Sequence, residues 1–358
     1  MVMLFKRPTH DHLYAALVAK DASFDGFSYV CVTSTRIFCR FSCTARKPKQ
    51  ENCRFEDTIA ACLEGGFRPC KRCRPLLSYG APEPVAKHLL EQLEADPLRR
   101  WGERDIIGLG HDPSTVRRIF KRRFGMSFLE IARLRRASIG ADSLLTGERV
   151  IDAQLEAGYE SGSGFRAAIT QLFGTAPAKL KDASLLKADW LETPIGPMLA
   201  VVDDHALHLL EFADRPALPN ELHRLKAKNS AGIALGSNTV TEQIASELDG
   251  YFKDATTPFK TRLANHGTEF EREVWHALRL TPAGETHSYS QVAAALDRTS
   301  AVRAVARANG ANQIAIVIPC HRVIGADGSL TGYGGGLWRK QWLLKHERKQ
   351  SKIDHGFE

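Results

Sequence analysis

Ile314-Ala315-Ile316-Val317-Ile318-Pro319-Cys320-His321-Arg322-Val323-Ile324 is the stretch from which the chain is read. An apolar run ends at a proline, a cysteine follows, and a histidine stands directly after it. Glycines crowd the next residues (Gly325, Gly328, Gly332, Gly334, Gly335 and Gly336). A free thiol titrates near pH 8.5, so only a few per cent is thiolate at neutral pH unless a base or cation intervenes. His321 is such a base. Taken alone, however, a Cys-His pair favours an inert buried thiol, and the surrounding chain must separate the two readings.

Just upstream, Gln291–Leu296 reads as a short helix and Ser300–Ala308 as a longer, Arg-bearing one, a helix-turn-helix pattern. Before them Glu269–Leu280 is helical, as is Thr239–Lys253 with Leu248, Tyr251 and Phe252 on its apolar side. Residues 188–212 alternate and run apolar (Ile195–Val202, Leu207–Phe212), which predicts a small antiparallel sheet with a hairpin turn at Thr193-Pro194-Ile195-Gly196.

Further out, Glu83–Glu94 has helical spacing. Asp112-Pro113 then makes an N-cap with proline at the first helical position. The helix it opens buries Val116, Ile119, Phe120 and Phe124, while Arg117, Arg118, Lys121 and Arg122 mostly face elsewhere. The same plan recurs in Val150–Ala157, a turn over Gly158–Gly164, and Phe165–Phe173 ending at Gly174. A long helix over about Phe128–Leu145 joins the two copies. Ser114, Thr115, Arg117, Arg118 and Lys121 in the first copy, and Ser161, Ser163 and Arg166 in the second, are the candidate groove or phosphate contacts. Arg99–Arg136 carries eleven Lys/Arg against four Asp/Glu, within a chain of net charge +8. That density points to an anionic partner, nucleic acid first.

At the N-terminus Asp11–Lys20 reads as a helix and Phe27–Thr33 as a strand. Seven of the eight cysteines lie between Cys31 and Cys73. Cys39-Arg40-Phe41-Ser42-Cys43 and Cys70-Lys71-Arg72-Cys73 have the spacing of a tetrahedral four-cysteine zinc site. Cys31, Cys53 and Cys62 lack such a partner and read as buried thiols. No apolar run is long enough for a membrane span or an export signal, so a reducing cytosol is expected. At 358 residues several domains are needed.

Three stretches carry a resemblance. Ile37-Phe38-Cys39-Arg40 with Gly66-Phe67-Arg68-Pro69-Cys70-Lys71-Arg72-Cys73-Arg74-Pro75 resembles the zinc domain of the Ada family, with Phe41 where that family often has proline. The duplicated helix-turn-helix resembles the AraC-type DNA-binding module, although Ile106-Ile107-Gly108 replaces the usual leucine–alanine pair. Pro319-Cys320-His321-Arg322-Val323-Ile324, with Gly284-Glu285-Thr286, Ala301-Val302-Arg303-Ala304-Val305 and Leu343-Leu344-Lys345-His346-Glu347, resembles the O6-alkylguanine-DNA alkyltransferases.

The resemblance implies a multidomain α+β chain. Residues 1–78 would be a small zinc α+β domain, and 82–182 an all-α double helix-turn-helix domain. A ribonuclease-H-like α/β subdomain would cover 184–265 and a helical, winged-helix-like alkyltransferase domain 266–348, with a tail over 349–358. It implies one Zn2+ on Cys39, Cys43, Cys70 and Cys73, with Cys39 also accepting methyl groups from DNA phosphotriesters. Cys320 would take methyl from O6-methylguanine (and O4-methylthymine), His321 would accept its proton through a water, and Glu347 would orient the histidine. Tyr289 would protonate the base and help rotate its phosphate, Arg303 would fill the vacated stack, and Asn312 would act as a hinge. Tyr333 and Gly334 would close over the base. The implied partners are double-stranded DNA, both alkylated and promoter, and RNA polymerase. The protein would be a cytoplasmic, nucleoid-associated monomer that touches no membrane. Two alternatives stay open: a zinc-dependent regulator without repair activity, and a repair protein whose regulatory role has lapsed.

Overall fold

The structure is a computed structural model that describes residues 6–76, 84–124, 126–180, 185–228 and 232–354, without the side chains of residues 122, 123 and 349–354. Gly125, the Arg122 side chain and the last residues of the expected tail therefore lie outside the described residues. The chain divides into two compact units. One holds residues 1–81, 250–258 and 266–358, the other 82–249 and 259–265.

In the first unit Thr9 caps α1 (His10–Ala19) by accepting from His12 N, and the helix stops where Lys20 turns left-handed at φ 56°. Strand β1 (Tyr29–Val32) pairs antiparallel with both β2 (Ile37–Cys39) and β3 (Cys53–Glu56). After α2 (Ile59–Glu64), the short β4 (Arg68–Pro69) joins β2 in parallel, giving the order β3-β1-β2-β4. Tyr29, Cys31, Phe38, Cys62 and Phe67 form its core.

The second unit opens with α3 (Pro84–Ala95), α4 (Glu103–Gly108) and α5 (Pro113–Phe124). Asp112 accepts from Thr115 N at 2.7 Å, so the predicted aspartate–proline start of α5 is formed. Val116, Ile119, Phe120 and Phe124 are all buried, as their spacing requires. Ser127 and Glu130 close a capping box at the start of α6 (Phe128–Leu145), the joining helix. It is less exposed than its arginines suggest, because Arg136 is buried over the Tyr159 ring at 4.4 Å. The second copy is α7 (Val150–Glu156) and α8 (Gly162–Phe173), followed by α9 (Pro177–Leu180). Here the expected turn is too long. Gly162, Ser163 and Gly164 are helical because the Ser161 hydroxyl accepts from Gly164 N at 3.2 Å, a cap that outweighs the low helix propensity of two glycines.

Next comes a four-stranded sheet. Strands β5 (Leu186–Leu191), β6 (Met198–Val202) and β7 (Leu207–Phe212) run antiparallel, with Gly196 at φ 106° in the hairpin turn. Two elements go beyond the expectation: α10 (Leu218–Lys228), and β8 (Ile233–Leu235), which pairs parallel to β5. The sheet is therefore mixed rather than purely antiparallel, in the order β7-β6-β5-β8. Helix α11 (Thr239–Lys253) follows, its residues from Gly250 onward counted with the first unit.

The C-terminal part of the first unit is helical. It comprises α12 (Glu269–Arg279), β9 (His287–Ser288), α13 (Tyr289–Ala295) and α14 (Val302–Gly310), then β10 (Val323–Ile324) parallel to β9, and α15 (Leu337–Asp354). A capping box of Ser288 and Gln291 starts α13 at Tyr289, two residues earlier than its apolar pattern indicates. Among the described residues no helix is long and apolar enough to cross a membrane.

Candidate active sites

Cys320 sits in a short 3-10 turn, Cys320–Arg322, and is 7% exposed. The chain reaches it through a tight reversal. Asn312 Oδ1 accepts from Ile314 N at 2.9 Å, while its Nδ2 donates to Ile318 O at 2.9 Å and to Cys320 Sγ at 3.1 Å. One buried amide thus closes the loop and marks the position of the sulfur. Ile316 within it has φ 72°, a left-handed conformation that a β-branched residue tolerates only when its surroundings impose it.

Helix α15 supplies the opposite wall. Lys340, Leu343, Leu344 and Glu347 lie at one-turn and two-turn spacing and are all buried. Glu347 Oε1 accepts from His321 Nε2 at 2.8 Å, from Tyr251 Oη at 2.7 Å and from Arg322 NH2 at 2.9 Å, and its Oε2 accepts from Gly284 N at 3.3 Å. Burial alone would push the Glu347 carboxyl up. The His321 imidazole and the Arg322 guanidinium outweigh it and hold the group well below the usual carboxylate range. For His321 burial wins over the attraction of Glu347, and its pKa falls below 6.5. At neutral pH the pair is therefore a neutral imidazole on a charged carboxylate. Nε2 must carry the proton that Glu347 accepts, which leaves Nδ1 as a lone-pair base. Nδ1 is buried and has no partner among the described residues. A buried base oriented by a carboxylate in this way is the pairing that activation of a nucleophile calls for.

Lys340 is fully buried, and its Nζ donates to Val323 O at 2.5 Å and Thr331 O at 2.8 Å. Burial lowers its pKa to about 8, while a negative charge on Cys320 would raise it. Tyr289, on the first turn of α13, is partly buried and accepts from Thr331 Oγ1 at 3.3 Å. Tyr333 is buried, with its ring centroid 6.4 Å from that of His321, and Arg303 stands exposed near the start of α14. Spacing arguments missed Arg322, Lys340 and Tyr251. Only Lys340 left a usable signal, seven residues before Glu347 on the same helical face.

The second site follows from the N-terminal sheet. In the parallel pairing of β2 with β4, Phe38 stands opposite Pro69, and Cys70 N donates to Phe38 O at 3.0 Å. Cys39 and Cys70 therefore leave the two strands side by side. Each is followed by a turn that returns a second cysteine, and the ligand atoms of Cys39, Cys43, Cys70 and Cys73 all lie within 4.8 Å of one another. Tetrahedral sulfurs about 2.3 Å from a zinc ion would stand roughly 3.8 Å apart, so the set fits with little adjustment. Arg40 N donates to Cys73 Sγ at 3.4 Å.

The turn between Cys39 and Cys43 is held from three sides. Buried Asp25 accepts from Ser42 N at 3.0 Å and from Ser42 Oγ, and Lys47 Nζ donates to Phe41 O at 3.0 Å and Cys43 O at 3.1 Å. Phe41 is fully buried between Phe24 and Phe55, with ring centroids at 5.2 and 5.7 Å. The aromatic packing replaces the rigidity a proline would give. Cys31, Cys53 and Cys62 are buried away from the cluster, Cys31 and Cys62 with their sulfurs 3.4 Å apart.

Of the groove candidates, Ser114, Arg117, Arg118, Ser161, Ser163 and Arg166 are exposed on or beside α5 and α8, and Thr115 is half-buried. Two hydroxyls are already engaged, that of Ser114 with Asp112 at 2.6 Å and that of Ser161 as the α8 cap. Lys121 is paired with Glu130 at 2.8 Å. In α4, Ile106 is buried while Ile107 is 60% exposed, so the unusual Ile-Ile pair still supplies the core residue its helix needs.

Comparison with known proteins gives one pattern over the whole chain. The family models described as "Metal binding domain of Ada", "Helix-turn-helix domain" and "6-O-methylguanine DNA methyltransferase, DNA binding domain" match residues 12–75, 108–183 and 269–349. The "Bifunctional transcriptional activator/DNA repair enzyme Ada" of Escherichia coli is 33% identical over 353 residues, covering 96% of this chain and 98% of its own length. The "Regulatory protein ada" of Salmonella typhimurium is 32% identical with the same coverage. A "Methylated-DNA--protein-cysteine methyltransferase" of Mycolicibacterium paratuberculosis is 55% identical over 161 residues, 45% of this chain and 92% of its own.

Proposed function

The chain belongs to the Ada family of bifunctional transcriptional activators and DNA repair enzymes, and from that premise we propose how its two cysteine centres divide the work. Cys320 takes the methyl group of O6-methylguanine, and Cys39 takes that of a methyl phosphotriester. The observation that supports the reading is the buried His321–Glu347 pair directly after Cys320 in the chain, with Asn312 donating to the sulfur.

The methyl on O6 of guanine lies at the edge of a stacked base, so in-line displacement needs the base flipped out of the helix. The Cys320 proton passes through a water to His321 Nδ1, and Glu347 stabilises the imidazolium that forms. Sulfur then bonds to the methyl carbon as the carbon–O6 bond breaks. The pair of electrons left on the guanine is neutralised by a proton from the Tyr289 phenol. Arg303 fills the gap in the stack, and Tyr333 and Gly334 bound the base. Donation from Asn312 and the nearby Lys340 ammonium both favour negative charge on Cys320. O4-methylthymine offers the same methyl–oxygen bond. The product is a thioether, a very poor leaving group, so each cysteine reacts once.

Cys39, Cys43, Cys70 and Cys73 hold one zinc ion. When bound, it keeps four sulfurs deprotonated yet nucleophilic, with a formal charge of −2 on the cluster. Methylation of Cys39 lowers that to −1 and weakens repulsion from DNA phosphates. The modified protein then binds promoter DNA through α5 and α8, with Ser114, Thr115, Arg117, Arg118, Lys121, Ser161, Ser163 and Arg166 as contacts, and activates transcription by engaging RNA polymerase. The division at 1–78, 82–182, 184–265, 266–348 and 349–358 belongs to this reading, as does a monomeric protein working at the nucleoid in the cytoplasm.

Peptide mass spectrometry after exposure to DNA carrying both lesions tests it. One added methyl is expected on the Cys320 peptide and one on the Cys39 peptide. Label on neither leaves a zinc-dependent regulator without repair activity. Methyl on Cys39 without a gain in promoter affinity leaves a repair protein whose regulatory role has lapsed.

A further inference from the structure

Tyr251 donates to Glu347 from outside the reactive segment, its following helix and the turn at Gly284. It lies in the last turn of α11 and is 1% exposed. Two successive residues of α15 grip it. His346 Nε2 lies 2.9 Å from Tyr251 O, and since a carbonyl only accepts, that nitrogen donates. At the other end the phenol donates to Glu347 Oε1 at 2.7 Å. Trp342 stacks on His346 at 5.0 Å and closes the pocket beside Phe252. The ring itself stands edge-on to Phe252 and His346 at 5.4 and 5.5 Å, and its hydroxyl is aimed at the same carboxylate oxygen that receives His321.

A packing role alone does not call for that hydroxyl. A phenylalanine would fill the pocket, and a buried hydroxyl without a partner would be costly. Placed on Oε1, the O–H competes with His321 for the same lone pairs. The more charge Oε1 gives to Tyr251 and Arg322, the less it can stabilise a proton on the imidazole. We propose that Tyr251 is a positioning residue of this pair, holding Glu347 against His321 and setting, through the shared Oε1, how readily His321 takes up a proton. The other charged and titratable groups around it act in fixed directions. Arg322 also donates to Glu347, the Lys340 ammonium is held by Val323 O and Thr331 O and acts electrostatically with Cys320, and His346 and Tyr333 also face the phenol. Arg322 supplies the bulk of the neutralisation, and Tyr251 supplies the adjustment.

The inference rests on Cys320 being the methyl acceptor, and one experiment separates the two failures. Single-turnover methyl transfer from O6-methylguanine DNA to the full-length, zinc-loaded protein is followed against pH for the wild type and for Tyr251→Phe, each checked for fold by circular dichroism. Loss of the phenol leaves more charge on Glu347, makes His321 more basic and moves the acid limb of the profile to higher pH, by about half a unit for one hydrogen bond. A general loss of rate with the limb unmoved is what a merely structural residue would give, and it overturns the inference. Should Tyr251→Phe not fold, 3-fluorotyrosine placed at 251 tests the same point with the opposite sign. It is a stronger donor, so the limb must move to lower pH, and an unmoved limb again overturns the inference. A wild type that accepts no methyl on Cys320 overturns both the acceptor reading and the inference.

Discussion

Around Cys39 three further sulfurs lie within 4.8 Å, and the groups holding its turn are a buried carboxylate, a lysine and two aromatic rings. Cys320 is not part of that cluster. At Cys320 an amide donates to the thiol, and a neutral imidazole is fixed by a charged carboxylate. In the proposed reading one centre makes a thiolate by sharing a cation, the other by passing a proton to a base. The first therefore depends on ligand count and hardly on the orientation of any one proton. The second depends on orientation and tautomer. The two sulfurs should fail under different insults.

Exchanging the sulfurs is the most drastic way to break this comparison. Cys320→Ala should lose all methyl uptake from O6-methylguanine DNA and keep uptake from phosphotriester DNA, with Cys39→Ser the mirror image, as label counts on the two peptides will tell. Base-methyl label on the Cys320→Ala protein would end the assignment. Next in size is zinc removal. Structural zinc sites contribute on the order of 10 kcal/mol to folding, so a strong chelator should melt the N-terminal sheet and abolish uptake at Cys39. The rate at Cys320 should stay within about twofold, because none of its relay includes a cluster residue. Equal loss at both sulfurs would show that they are not independent.

Glu347→Gln keeps the shape but removes the charge that orients His321, and the rate at Cys320 should fall by roughly 10²–10⁴-fold with Cys39 unaffected. Quench-flow transfer assays read both. The mildest separation is by pH. Because burial lowers the His321 pKa below 6.5, the imidazole stays a competent base to lower pH than an ordinary histidine. The acid limb at Cys320 should therefore fall below pH 6.5. The sign for stability is the same: a histidine whose folded pKa is depressed binds fewer protons than in the unfolded chain, so its contribution is intact above pH 6.5 and is lost as the pH falls. A limb above 6.5 would mean that Glu347 dominates over burial.

How far these features could be read beforehand depends on how local their causes are. Asp112-Pro113, the Phe128–Leu145 helix and the two cysteine pairs are near-neighbour patterns, and they form as read. The helical start at Gly162 was hidden because glycine argues against helix while the Ser161 cap argues for it, and only geometry decides between them. Strand β8 has three residues, and its partner lies more than 40 residues earlier in the chain, so no periodicity announces it. Lys340 follows Arg339 in a run that reads as solvated, yet both are buried. Tyr251 meets Glu347 across 96 residues. Ligands set by spacing were legible, whereas groups that tune the site from a distance were not.

The loop from Asn312 to Cys320 has almost no regular secondary structure, yet several of its amides are paired. Ile314 N is bound to Asn312 Oδ1, Val317 N to Ala315 O, Ile318 N to Ile314 O and Cys320 N to Ile318 O, all within 3.0 Å, and Ile314 to Ile318 are buried. Exchange of the Ile314, Val317, Ile318 and Cys320 amide protons with solvent should be slow, since all four are paired in a buried turn that the Asn312 side chain closes. The segment that carries Cys320 would then open only with the core around it, so the sulfur we propose as methyl acceptor would wait in one of the last parts of its unit to move.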